Sequence, residues 1–365
     1  MWKTTEGSTE RLLQLCGGYF FFYVITGLVV KAFTGTAHLH PGTVPMNDIA
    51  FLSYNTLGAT LTCLIPAVAL GWWRLKSIRP VRLWGMTVPS EIFYIIPSGI
   101  CTAIVIPTTT LMYTLPISVM VAMVIMRASV IVIGRLVDGV QIVQGILHKR
   151  IYWEENAAVG CAILAACIEL FGSHAGGFAF LHNRAAVVIF TSYIASYSIR
   201  IYIMNYYKNT RPRGAPLDNK AFFAIEQIAA TVAMVAIAST VFFAPRVMPS
   251  LNGVRQISDF ISAIQRPHPD WPWVAFSGLA FGMVAFFSVF IFMFKGRTAT
   301  FTGLMNRLTS LVAGTTATLL GHWLFTSRLP SLQNWTSLGF VLVAVIFLSR
   351  AERKRAQELK AAKEI

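Results

Sequence analysis

The 365-residue chain is 55% hydrophobic and only 12% charged, against roughly 25% charge in a soluble domain, and its mean hydropathy is +0.62. These values exclude an ordinary soluble globular domain and indicate a polytopic, all-α integral membrane protein. The net charge of +15 raises the question of a nucleic-acid partner, which the placement of the charges answers below.

Apolar runs long enough to span a bilayer, about 20 residues each, are read at 12–33, 49–72, 91–112, 117–147, 157–173, 184–206, 221–243, 272–294, 299–325 and 334–350. The first run is long enough to stay as a span instead of serving as a cleaved signal. Lys31 lies near its outer end and is expected to snorkel outward to water. The loop after it holds His38 and His40, too few ligands for a metal site. The second span contains a polar knot, Ser53-Tyr54-Asn55. Its Asn55 either lines a cavity or hydrogen-bonds a neighbouring helix. The third and fourth runs are divided mainly by Pro107 and Pro116, and the fourth is too long for one perpendicular helix.

The fourth run carries Arg127 in the stretch Val-Ile-Met-Arg-Ala-Ser-Val, followed by Arg135 and Asp138 three positions apart. The last two can face each other on one helix and neutralise. On the sixth span Tyr193, Tyr197 and Arg200 fall at i, i+4 and i+7, one helical face. That face suits stacking on a sugar or base, or ordinary packing. Arg200 and Glu226, the latter in span seven, lie at matching depth near the inner ends of their helices. They form a candidate ion pair, with a proton-coupling carboxylate at Glu226 as the alternative. The segment 244–271 has four prolines and reads as an irregular flap with a short helix near 254–264. Gly278-Leu-Ala-Phe-Gly282 is a small-xxx-small face, expected to pack within the bundle. The ninth run carries Asn306-Arg307, and the chain ends in a basic tail.

Charge sets the orientation. With the N-terminus inside, twenty Lys and Arg residues fall in cytoplasmic segments, five outside and five within spans. This asymmetry places both termini in the cytoplasm, in the plasma membrane of a bacterium or an endomembrane of a eukaryote. It also accounts for the basic balance with no nucleic acid. The five cysteines all lie in apolar stretches without metal or redox spacing, and no cofactor is implied.

Arg127 and Arg307 stand 180 positions apart, and from each arginine to a following glycine, Gly160 or Gly339, is 33 or 32 residues. Five spans per half is an odd number, so the halves, 1–173 and 174–365, are expected to insert as inverted repeats within one transmembrane domain. Arg127 lies about ten residues into its span and Arg307 about eight, roughly 12–15 Å deep in a ~30 Å core. An intramembrane cation costs about 2.5–3.5 kcal/mol on insertion scales and marks a substrate path. Candidate substrate-binding residues are therefore Arg127, Arg307, Asn306, Tyr193, Tyr197 and Asn55.

Ten spans in two halves of five resemble the drug/metabolite transporter superfamily. Thr302-Gly-Leu-Met-Asn-Arg307 resembles the Gly-Ala-Leu-Asn-Lys segment of nucleotide-sugar transporters, and the helix around Arg127 is similar to the matching helix of their relatives. The triose-phosphate translocators of the same superfamily hold phosphate with cations on these two helices. The resemblance implies a carrier of a small, phosphorylated organic anion. The segment at Glu226 departs from the aromatic-Tyr-Asn-Asn pattern of GDP-sugar members, so that substrate is not implied. No ATPase loop, protease or hydrolase motif is found, and the chain reads as a carrier, not an enzyme. The other readings are an EamA-like exporter of non-phosphorylated solutes, and a membrane enzyme or scaffold acting on lipid-linked substrates. The expected partners are a small anionic metabolite and the bilayer, with homodimerisation left open.

Overall fold

The computed structural model describes residues 8–34, 46–75, 80–83, 86–115, 119–147, 151–171, 184–211, 218–294, 299–325 and 329–364. His38, His40, Pro116, Lys149, Arg150, Arg328 and the division at 173/174 lie outside the described residues. Helices dominate: α1 (Thr9–Thr34), α2 (Asp48–Ala69), α3 (Ile92–Thr114), α4 (Val119–Val143), α5 (Trp153–Phe171), α6 (Arg184–Asn209) and α7 (Asn219–Val247). After these come α8 (Arg255–Gln265), α9 (Trp271–Phe292), α10 (Ala299–Phe325) and α11 (Leu332–Glu364). Eight of the long helices have the length and apolarity to cross a membrane; α5 and α10 are not among those eight. The protein is an all-α multi-pass membrane protein.

Local chemistry sets several helix ends. Asn47 caps α2 through its side chain, accepting from the Ile49 amide at 2.9 Å, and Asp218 caps α7 by accepting from Ala221 at 3.1 Å. The long fourth run yields a helix only to Val143, and the remainder is a turn containing Gly145 at φ 70°. In α3, Pro97 and Pro107 are accommodated within a continuous helix, as neighbouring hydroxyls and helices allow in membranes. The flap after α7 contains a 3-10 turn at Pro249–Gly253 and then α8, one residue from its expected start. Tyr54 ties this flap down, donating to the Ala263 carbonyl at 2.6 Å and accepting from the His268 amide at 3.2 Å. Between α2 and α3, where no apolar run lies, strands β1 (Pro80–Leu83) and β2 (Met86–Pro89) form an antiparallel hairpin with Val81 opposite Val88.

Close packing depends on absent side chains. On α2, a Cβ at Gly58 would lie 1.7 Å from the Ala275 carbonyl oxygen of α9, and one at Gly278 would lie 2.3 Å from the Asn55 oxygen. The small-residue face of α9 therefore serves packing inside the bundle. Helix α5 packs along α11, α3 against α6 and α7, and α1 against α9 and α10. The outer surface of α7 exposes Val232, Val235, Ile237 and Phe243, as a lipid-facing helix does.

Two expected charge arrangements differ. Lys31 turns inward: its ammonium donates to the carbonyls of Tyr113 at 2.8 Å and Leu115 at 3.4 Å, at the C-terminal end of α3. A cation there meets the orphan carbonyls and the negative end of the helix dipole, a better-defined partner than water. Arg135 does not turn along its own helix to Asp138. Its Nε donates to Asn156 Oδ1 on α5 at 3.3 Å, since α4 and α5 pack side by side.

Candidate functional site

Arg127 is 4% exposed and sits among tyrosines. Its Nη2 donates to the hydroxyl of Tyr23 at 2.6 Å and to that of Tyr19 at 3.4 Å. The guanidinium carbon also lies 5.5 Å from the centre of the Tyr23 ring, a distance at which the ring face attracts a cation. Tyr19 and Tyr23 are four apart on α1, so they share a face, and their rings meet edge-on at 5.1 Å. The network extends both ways. Tyr23 shares a hydrogen bond with the Tyr113 hydroxyl. Tyr19 donates to Asn306 Oδ1 at 3.4 Å, and Asn306 Nδ2 donates to Ser288 at 3.1 Å.

Arg127, Tyr19, Tyr23 and Ser288 line a cavity of about 60 Å³. Its wall includes Tyr193, Tyr197 and Arg200 from α6, Thr102 and Thr109 from α3, and Ser288 from α9. The i, i+4, i+7 face read on α6 does point into one chamber, with the Tyr193 and Tyr197 rings 5.2 Å apart.

Arg200 is fixed from behind. Its Nε and Nη2 donate to the two oxygens of Glu226, each at 2.9 Å, and Ser98 and Thr102 donate to the same carboxylate at 2.6 and 3.2 Å. Glu226 is fully buried and Arg200 is 7% exposed. A bidentate pair with two further donors is the geometry that makes a buried ion pair tolerable. It pins α3, α6 and α7 together.

Arg307 stands apart. It is 4% exposed, and its guanidinium makes no hydrogen bond or ion pair with any described residue. It lines a different cavity, with Gly134, Arg135 and Asp138 of α4, Glu155 of α5 and Asn205 of α6. The structure thus sets the two buried arginines in separate chambers. Asn55 enters neither: its amide donates to Ser277 at 3.3 Å between α2 and α9, the helix-bonding alternative for that residue.

Sequence reasoning missed Tyr19, Tyr23, Tyr113 and Ser288. A signal existed for the first two, because the i, i+4 tyrosine pair of α1 recurs as Tyr193 and Tyr197 in α6. Among the described residues no group of three or more His, Cys, Asp or Glu side chains is placed to hold a metal.

The chain matches no protein-family model and no curated protein. A solved structure described as "Crystal structure of protein" is similar over 95% of this chain and 99% of its own, with a TM-score of 0.52 and 16% identity. That likeness concerns the fold alone.

Proposed function

We propose that this protein is a secondary carrier for a small organic anion, phosphorylated or of similar charge, that works by alternating access between two inverted five-helix halves. The observation that carries the reading is Arg127: a buried guanidinium, neutralised by no carboxylate among the described residues, set in a cavity walled by four tyrosines. Tyrosine hydroxyls orient the cation but leave its charge uncompensated, and an anion supplies what is missing. Arg307, a second buried guanidinium that makes no hydrogen bond or ion pair with any described residue, supports the same reading.

The helix pairings support the repeat. Counting α5 and α10 as spans makes ten, and a shift of five relates α1 to α6, α2 to α7, α3 to α9, α4 to α10 and α5 to α11. Helix α3 packs on α6 and α7; its counterpart α9 packs on α1 and α2. Helix α1 meets α10 as α6 meets α4, and α4 meets α5 as α10 meets α11. The pairs α2–α7, α4–α10 and α5–α11 map onto themselves. A two-fold relation between halves predicts this pattern, with the site where the halves meet.

Both termini are assigned to the cytoplasm. In a cysteine-accessibility experiment on intact cells, Gln256→Cys should label from outside and Arg74→Cys only after permeabilisation; both positions are exposed. Labelling of both from one side would break the topology and the inverted repeat with it. The function itself is tested by a thermal-stability screen of nucleotide sugars, nucleotides, sugar phosphates and carboxylates on the purified protein. A specific ligand at a hundredfold excess over Kd should stabilise by about 2.7 kcal/mol. A screen in which no anion stabilises while neutral or cationic solutes do would argue against the reading.

A further inference from the structure

We propose that the chamber around Arg307 is a second anion station, separate from the Arg127 cavity, through which the transported anion passes on its way to or from the cytoplasm. This rests on the carrier reading above and divides its single anion site into two.

The lining residues make the case. The Arg127 cavity does not include Arg307, and the Arg307 chamber includes neither Arg127 nor any of the four tyrosines. The space inside the chamber is about 30 Å³, room for roughly two waters, which an anionic group would displace beside the guanidinium. Its contributions come from the cytoplasmic halves of α4, α5 and α6 in the proposed orientation, and from Leu348 late in α11. It therefore lies on the inner side of the Arg127 cavity.

The charges within it are unequally engaged. Glu155 is paired with Arg355 of α11, and Arg135 is bonded to Asn156. Asp138 lines the same chamber and attracts the Arg307 charge, but Arg307 makes no hydrogen bond or ion pair with any described residue, and its fully buried Nε is unsatisfied. A buried donor without an acceptor is costly, more so when charged. The unsatisfied donor in this chamber belongs to a guanidinium, so the fitting ligand is an acceptor, best an anionic group.

Two glycines keep the guanidinium where it is. A Cβ at Gly134 of α4 would come 2.8 Å from Arg307 Nη2, and one at Gly303, a turn earlier on α10, would come 3.4 Å from it. Gly134 is thus a positioning residue. A methyl there displaces the tip of a flexible side chain and leaves the backbone alone.

The test is equilibrium binding of radiolabelled inorganic phosphate to the purified full chain in detergent, for wild type, Arg127→Gln, Arg307→Gln and Gly134→Ala. Gel filtration and unfolding temperature first establish that each variant folds. Two phosphates per wild-type chain are expected, one in each arginine variant, and in Gly134→Ala one class weakened with the other unchanged. The Gly134 variant keeps both charges, so it reports on the station even should an arginine variant fail to fold. A single phosphate lost in either arginine variant would overturn the second station and leave a shared anion site intact. Two phosphates persisting in Arg307→Gln would also overturn it. No saturable binding to wild type would overturn the station and the anion site together.

Discussion

Arg307→Ala is expected to lower anion exchange in proteoliposomes at least tenfold, while the protein still inserts and elutes as wild type does. The side chain is buried and makes no bond to any described residue. Its removal therefore relieves a cost in the empty protein and breaks no hydrogen bond or ion pair to a described residue. On the carrier proposal, what is lost is a charge-assisted bond to substrate, about 1.5–3 kcal/mol or roughly a tenfold to hundredfold drop in affinity. Arg307→Lys should keep part of the activity, since lysine carries the charge without the planar fork. Arg127→Ala should be comparably inactive but less neutral for folding. Tyr23 and Tyr19 each lose the donor that orients them, though the Tyr113 and Asn306 contacts remain. The check is the initial rate of exchange, normalised to inserted protein. Full activity in Arg307→Ala would remove that residue from the path.

Glu226→Ala is expected to be among the most destabilising single changes in the chain, by about 3–5 kcal/mol. It leaves the Arg200 guanidinium buried without its two carboxylate acceptors and takes the acceptor from Ser98 and Thr102. Arg200→Ala should cost nearly as much, by stranding the carboxylate. The double variant should lose less than the sum, since removing both charges is far cheaper than isolating one. Unfolding of the four proteins in detergent measures the cycle. Additive losses would contradict the coupling implied by two 2.9 Å bonds and would return Glu226 to a role in proton coupling.

Much of the helical layout is legible because a bilayer demands long apolar runs, and no soluble alternative competes for them. The Arg200–Glu226 pair is legible for a related reason: opposite charges at one depth in an apolar medium have few other places to go. Side-chain direction is harder to read. Lys31 is expected to seek water because its position near a helix end is all that the sequence supplies. The carbonyls at the C-terminal end of α3 that it reaches, those of Tyr113 and Leu115, are 82 and 84 positions away. Arg135 and Asp138 have suitable spacing on one helix, but α5 brings Asn156 against the same face. The tyrosines of α1 sit in the run Tyr-Phe-Phe-Phe-Tyr, which resembles a lipid-facing aromatic stretch until the tertiary packing buries Tyr19 and Tyr23 and leaves Phe21 exposed. The separation of Arg127 and Arg307 into two chambers has no sequence signal. Equal depth on corresponding helices says nothing about which gap each long side chain enters.

On the proposed carrier reading, an anion crosses the membrane along a path that passes both Arg127 and Arg307. Counterflow in sealed proteoliposomes, with the strongest ligand from the thermal screen, reads that passage. Wild-type vesicles preloaded with unlabelled anion should transiently accumulate the labelled form, lose it when made leaky, and leave the anion chemically unchanged. Vesicles bearing folded protein with both Arg127→Ala and Arg307→Ala should accumulate none above the empty-vesicle background. Wild-type accumulation by the double variant, or consumption of the anion by wild type in detergent, would contradict the account.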